Sequence, residues 1–378
     1  MPKHLVVCLI LLVLISSCST EEIVPERFYP RNDHEAYWYS LKQANLLSTA
    51  LGKEWLAATE RPFEEEIEVR LPYQEAFVIS DLKPDAHGYR FEAKRGQKVL
   101  VDIGLISTDT TRVFVDLFRV ENDSLSLYKQ VASADSTLQL GFEPRRNAEY
   151  ILRLQPELLR GGQFTITIQT VPTLEFPVAG KNKAAILSVF GDPRDGGKRV
   201  HHGVDIFAKR HTPVIAPVEA RVRFVGTRGI GGEVIWLRDS KRGSSLYFAH
   251  LEEFKVKRGD RVQPGDTIGT VGNSGNARTT APHLHFGIYK NGPVDPYPFI
   301  VPEYERPDLF LVDTTLLGKS MTLTTRRLLK ASMNKRVAPL DTLHVEDEIR
   351  IVAVNHNYVR VEKPDGTFGF LEKDEVLK

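Results

Sequence analysis

The sequence predicts a mainly β chain built of several modules, and three observations carry that prediction. From Glu64 to Thr170 apolar and polar residues alternate, as in Tyr89-Arg90-Phe91-Glu92-Ala93, Val99-Leu100-Val101-Asp102-Ile103 and Phe164-Thr165-Ile166-Thr167-Ile168, the period of half-buried strands. From about 173 to 305, short apolar runs are separated by Gly-rich turns, and the tail beyond 306 repeats the strand-and-turn rhythm. A length of 378 residues suits two or three domains.

In chain order, Met1-Pro2-Lys3-His4 is a thinly basic start. Leu5 to Ile15 is an apolar run long enough for a signal h-region and too short to span a bilayer. Ile15-Ser16-Ser17-Cys18 follows and resembles the bacterial lipobox. Residues 1–18 are therefore expected to be a lipoprotein signal, with Cys18 carrying the lipid. Such an anchor buries about 0.8 kcal/mol per methylene in the membrane. Ser19 stands where an aspartate would favour inner-membrane retention, so the expected location is the cell envelope, on the outer membrane and facing periplasm or cell surface. Cys8 and Cys18 are the only cysteines, which leaves the processed chain without a structural disulfide.

Residues 19–62 read as a Pro-bearing tether followed by a helical segment. Asn32 or Asp33 is placed to cap it, Tyr37, Leu41, Ala44, Leu51 and Trp55 recur at helical spacing, and Gly52 is the expected weak point. Residues 63–172 read as a β-sandwich with turns at Pro84-Asp85 and Gly161-Gly162, similar to jelly-roll modules. Pro172 to Pro177 marks the boundary into the segment 173–305. Residues 306–378 close the chain with strands around Ile349–Val354, Tyr358–Val361 and Phe368–Leu371 and a tight Asp365-Gly366 turn. They resemble a bacterial SH3-like barrel, a module that grips wall polymer, with a structural end-cap as the competing reading.

Chemistry concentrates in the third quarter, where six of the eleven histidines lie between 201 and 285. His201-His202-Gly203-Val204-Asp205 supplies imidazole and carboxylate close together. Leu246-Tyr247-Phe248-Ala249-His250 is an apolar strand with one histidine near its end. In Ala281-Pro282-His283-Leu284-His285-Phe286-Gly287 two histidines at spacing two must leave a strand on one face. A hydrolytic zinc ion takes three such ligands and keeps a fourth position open for water.

These three pieces, in this order, resemble the lysostaphin-type (LytM-type) zinc endopeptidases that cut peptide cross-links in bacterial cell walls. The Gly-rich hairpins Lys257–Asp266 and Ile268–Gly275 resemble that family's as well. The resemblance implies a lysostaphin-type β-sheet peptidase domain preceded by the helical segment and β-sandwich and followed by the small SH3-like β-barrel. It implies one zinc ion held by His201, Asp205 and His285, with His250 and His283 flanking the attacking water. It further implies peptidoglycan stem peptides and cross-bridges as substrate, beside a membrane contact through the N-terminal lipid. The family spacing selects His201 over His202. Ala281 stands where a glycine is frequent and Gly287 where a glutamate often follows. Neither removes a ligand, so altered substrate fit is expected rather than lost metal.

No His-Glu-x-x-His helix is present (His34-Glu35 leads to Tyr37-Trp38), so proton handling falls to imidazole. His283 is the expected general base, and His250 is expected to donate to the developing oxyanion or protonate the leaving amine, with exchange of the two roles as the alternative. Gly272-Asn273-Ser274-Gly275 lacks the elbow of a nucleophilic serine, and Gly229-Ile230-Gly231-Gly232 lacks the third glycine of a dinucleotide loop. Both read as turns. Asp192, Arg194 and Asp195 are expected to be solvated loop charge, and His211, His344 and His356 surface residues. Fifty basic against 49 acidic residues leave a net charge of +1 with no basic block, which argues against nucleic acid as partner. Two rivals keep the fold and change the function: a non-catalytic scaffold or amidase activator, which would be expected to have lost one of the five residues, and an endopeptidase for a secreted protein.

Overall fold

The computed structural model describes residues 30–65, 67–123, 126–304, 314–332 and 338–376. The expected leader, Cys18 and the tether to residue 29 lie outside them. What is described is mainly β.

Asn32, in an extended conformation, caps helix Asp33–Gln43 by accepting from the Glu35 amide at 2.7 Å. Asp33 and Glu35 sit at the positive end of its dipole and Lys42 at the negative end. The helical segment breaks earlier than the expected weak point. Asn45 takes a left-handed φ of 58°, and Thr49 caps a second helix, Ala50–Glu64, by accepting from the Gly52 amide. Gly52 is a close-approach residue instead, since a Cβ there would lie 2.1 Å from the Leu46 carbonyl oxygen. Tyr37, Leu41 and Trp55 pack on Phe114, and Trp55 donates to the Pro156 carbonyl at 3.1 Å, which seats both helices on the sheet beneath.

That sheet has five strands in the order Ile67–Glu68, His87–Ala93, Ala148–Pro156, Val113–Asp123, Ser126–Ser133. It faces a second sheet containing Tyr73–Ile79, Gly162–Pro172, Gln97–Ile106 and Gln139–Phe142. Phe77, Phe164, Tyr89, Leu117, Leu152 and Ile166 fill the space between, so the alternating segment is a sandwich.

The tail departs from the expected closed barrel. Its strands form an open set whose Glu348–Asn355 strand pairs with Tyr73–Ile79 in the register Glu75↔Asn355, Ala76↔Val354, Phe77↔Ala353. The result, among the described residues, is one continuous sheet of ten strands. A strand edge presents unpaired amides and carbonyls that need a partner, and the tail satisfies this one. Ala353 and Phe370 join the sandwich core, while Leu329, Ile349, Ile351 and Val359 form a smaller core of their own. Residues 173–304 are thus an insertion between two parts of one sheet.

A buried titrating group lies under the helices. His34 stacks on Trp55 at 4.9 Å and pairs with Gln155 at 2.8 Å. Burial, with Arg153 nearby, lowers its imidazole to about 4. Unfolded chains titrate histidine near 6.5, so between those values the unfolded state binds a proton that the folded state refuses, and stability falls as pH drops through that window. Denaturant unfolding of the protein and of a His34→Gln variant from pH 7 to 4 should show the wild type losing up to about 3 kcal/mol more than the variant. Parallel curves would remove His34 as the cause.

Candidate metal centre and cleft

The inserted domain is built on an eight-stranded sheet whose middle runs Val204–Phe207, His283–Tyr289, Ser244–Ala249, Glu233–Asp239. One face carries Val204, Ile206, Leu246, Phe248, Leu284 and Phe286 into the core. Residues of opposite parity face the cleft, and register aligns them. Asp205 pairs with His285 and His285 with Ala249, while Phe207 pairs with His283.

His201 enters from the loop just before Val204. Gly203 is required there, because a Cβ would lie 2.4 Å from the Phe286 carbonyl oxygen and 2.8 Å from the His285 ring. His202 stays outside the ligand group, exposed at the cleft and stacked on Phe190. His250 follows the end of its strand with φ 61°, a region costly for a residue with a Cβ. Its amide donates to the Gly231 carbonyl at 2.9 Å. The Gly232 and Gly275 backbones touch so closely that a Cβ on Gly232 would lie 2.3 Å from the Gly275 amide nitrogen, so the two loops form one wall of the cleft.

Hydrogen bonds fix the tautomers. His201 Nδ1 donates to the Val189 carbonyl at 2.8 Å, His250 Nδ1 to Ser274 at 2.9 Å and His283 Nδ1 to Ala281 at 2.9 Å. Each of the three is thereby left with a lone pair on Nε2 in its neutral form. His201 Nε2, His285 Nδ1 and Asp205 Oδ1 then meet in a triangle with edges of 2.9, 3.0 and 3.0 Å. Three acceptor-rich atoms this close lack protons for mutual satisfaction, and the triangle is about the size of one face of a tetrahedral site with bonds near 2.0–2.2 Å. His201, Asp205 and His285 therefore fit a divalent metal.

Charge is tuned around them. Burial opposes ionisation of Asp205, but the imidazoles of His201 and His285 outweigh it and hold the carboxyl well below the usual range. Burial lowers His285 against the pull of Asp205. Burial, then the neighbouring His283, lowers His250 to about 4. His250 and His283 lie with ring centres 5.0 Å apart, and Phe207 stacks on His283 at 4.9 Å.

One functional neighbour departs from the sequence expectation. Arg194 donates to Asp205 Oδ2 at 2.9 Å and also to Ser188, which orients the carboxylate from behind as metal-site partners do. A short ribbon, Pro193–Arg194 against Arg199–Val200, holds it in place. Asp192 likewise accepts from Ser188 at 2.8 Å and the Val189 amide at 2.9 Å, folding the loop around His201. Ser274 is a turn residue whose hydroxyl accepts from the Glu233 amide. His211, His344 and His356 are exposed.

The cleft encloses about 680 Å³, and every described residue that lines it lies between Leu187 and Tyr289. Beside the five residues stand Trp236, Tyr247 and Tyr289, in tilted ring contacts with centres 4.5 and 5.2 Å from Trp236. Gly287 makes room for this cluster, since a Cβ there would already press on the Tyr289 ring at 3.1 Å.

A metal-competent triangle with two imidazole lone pairs over an open cleft is the equipment of a hydrolytic metal centre. Residues 199–296 match the family model of Peptidase family M23, and the chain carries an M23 peptidase domain. It is 40% identical over 138 residues to the L-Ala--D-Glu endopeptidase of Bacillus subtilis (strain 168), covering 33% of this chain and 42% of that protein. It is 36% identical over 100 residues to the peptidoglycan DD-endopeptidase ShyC of Vibrio cholerae, covering 26% of this chain and 22% of that one. Among solved structures, the catalytic domain of lysostaphin from Staphylococcus simulans aligns with 34% identity over 30% of this chain and 88% of that chain, with a TM-score of 0.28. The chain thus spans less than half the length of these curated relatives.

Proposed function

We propose that this protein is a zinc-dependent endopeptidase that hydrolyses peptide cross-links of bacterial peptidoglycan. The observation that carries the reading is the meeting of His201 Nε2, Asp205 Oδ1 and His285 Nδ1 within 3.0 Å of one another, with His250 and His283 lining the same cleft. The names of the M23 relatives, an L-Ala--D-Glu endopeptidase and a peptidoglycan DD-endopeptidase, support the substrate class.

In this reading His201, Asp205 and His285 hold the zinc, which when bound supplies Lewis acidity toward water and the scissile carbonyl. The lone pair of His283 Nε2 takes the proton of the attacking water. That proton passes on to the leaving amine, and His250, its ring held across the same gap by the Ser274 carbonyl, can hand on a proton only after its own Nε2 has taken one up. Arg194 keeps the Asp205 carboxylate turned so that one oxygen faces the site. Lipid attachment at Cys18, holding the enzyme on the outer membrane, belongs to the same proposal.

The test is incubation of the leaderless protein with purified peptidoglycan, with and without chelator, and mass spectrometry of the soluble products. The expected result is fragments with a newly freed peptide amine that disappear with chelator and return with added zinc. Intact wall under zinc-loaded conditions, or cleavage indifferent to chelator, would sink the proposal.

A further inference from the structure

On the cleft side of the eight-stranded sheet, cross-strand neighbours form rows. The first holds Asp205, His285 and Ala249. The next holds Gly287, Tyr247, Trp236 and Phe224, and the third Tyr289, Ser245, Arg238 and Arg221. Rows on one face are spaced by two residues, about 7 Å, so the third lies roughly 14 Å from the metal triangle, a reach of about four extended residues.

At that distance lies a second cavity of about 670 Å³ that shares Trp236 with the cleft and is lined by Arg223, Phe224, Arg228, Arg238 and Ser245, with no acidic residue. A bulge between Val222 and Phe224 sets Arg223 out of the regular register. Arg221 and Arg238 are direct cross-strand partners, a like-charge pair that disfavours the sheet unless an anion joins it. Elsewhere in this domain Arg194, Arg210 and Arg242 each meet a carboxylate. Arg223, Arg228 and Arg238 form no ion pair among the described residues, and the only ring contact of the three is Arg228 over Phe224 at 5.8 Å.

We infer that this basic groove is a substrate subsite that binds free carboxylates of the stem peptide about four residues from the scissile bond. The inference rests on the peptidase reading and names the part of the substrate that the far end of the cleft takes. Guanidinium forks match carboxylates in bidentate geometry. The aromatic row between, its Trp236 and Tyr247 rings tilted 36° apart, supplies an apolar wall for the intervening peptide, beside which Gly287 leaves room.

The test uses binding rather than turnover. A synthetic stem tetrapeptide with free carboxylates, and its fully carboxamidated counterpart, are titrated into the zinc-loaded His283→Ala protein by calorimetry. The same is done with that protein carrying Arg223→Gln and Arg238→Gln. The free-acid peptide is expected to bind about tenfold tighter than the amide to the first, with the preference shrinking in high salt, and equally to the second. Equal affinity of both peptides for the first protein, or a preference that survives the arginine substitutions, overturns the subsite. Peptidoglycan cleavage by the wild type is scored separately, so a failed peptidase reading and a failed subsite give different results.

Discussion

Replacing His285 with alanine is expected to abolish metal retention and hydrolysis together, whereas His283→Ala keeps the metal and loses turnover. His285 Nδ1 is 2.9 Å from His201 Nε2 and 3.0 Å from Asp205 Oδ1, so its removal takes one corner from a three-ligand site. The remaining carboxylate keeps its ion pair with Arg194 and has less reason to hold a cation. His283 stands on the same strand but outside the triangle, its ring fixed by the Ala281 carbonyl and Phe207. Loss of a general base costs about 10²–10⁴-fold in rate, with folding and zinc content unchanged. Elemental analysis after dialysis, beside release of wall fragments, separates the two effects. A His285→Ala protein that keeps one zinc per chain, or a His283→Ala protein with full activity, contradicts the assignment of roles.

The residues around the cleft were readable because their identities and spacing survive without knowledge of the fold. Two histidines separated by Leu284 must share a face if the segment is a strand, and the His-x-Gly-x-Asp spacing requires a residue without a Cβ beside the His285 ring. Arg194 was not readable. A loop arginine looks the same in sequence whether solvated or turned onto a ligand, and here the two-stranded ribbon around it decides. The weak point of the helical segment was misplaced for a similar reason: glycine suggested weakness, while Asn45 took the left-handed turn and Gly52 served close packing. Alternation revealed strands at both ends of the chain, but period alone says nothing about which edges meet. Pairing of Phe77 with Ala353 spans most of the chain, and its clearest chemical trace is a charged residue, Arg360, set between Val359 and Val361.

That arginine underlies the other large effect. Arg360→Ala is expected to destabilise the sandwich by about 3–5 kcal/mol, because it strands a buried carboxylate. Glu75 is 1% exposed, accepts from the Tyr89 hydroxyl at 2.8 Å, and lies 3.6 Å from the Arg360 guanidinium, which comes from the tail strand Tyr358–Glu362. Burial works against the Arg360 charge, but Glu75 outweighs it and raises its proton affinity, so the two charges are interdependent. Removing both should therefore be milder than removing one. Glu75→Gln keeps an acceptor for Tyr89, Arg360→Met keeps most of the volume, and together they are expected to return to within about 1 kcal/mol of the wild type. Denaturant midpoints of the two single variants and the double variant measure the coupling. Additive losses would show that the pair does not join tail to sandwich. Strong recovery would show that the Glu75–Arg360 pair couples the tail to the sandwich on either side of residues 173–304.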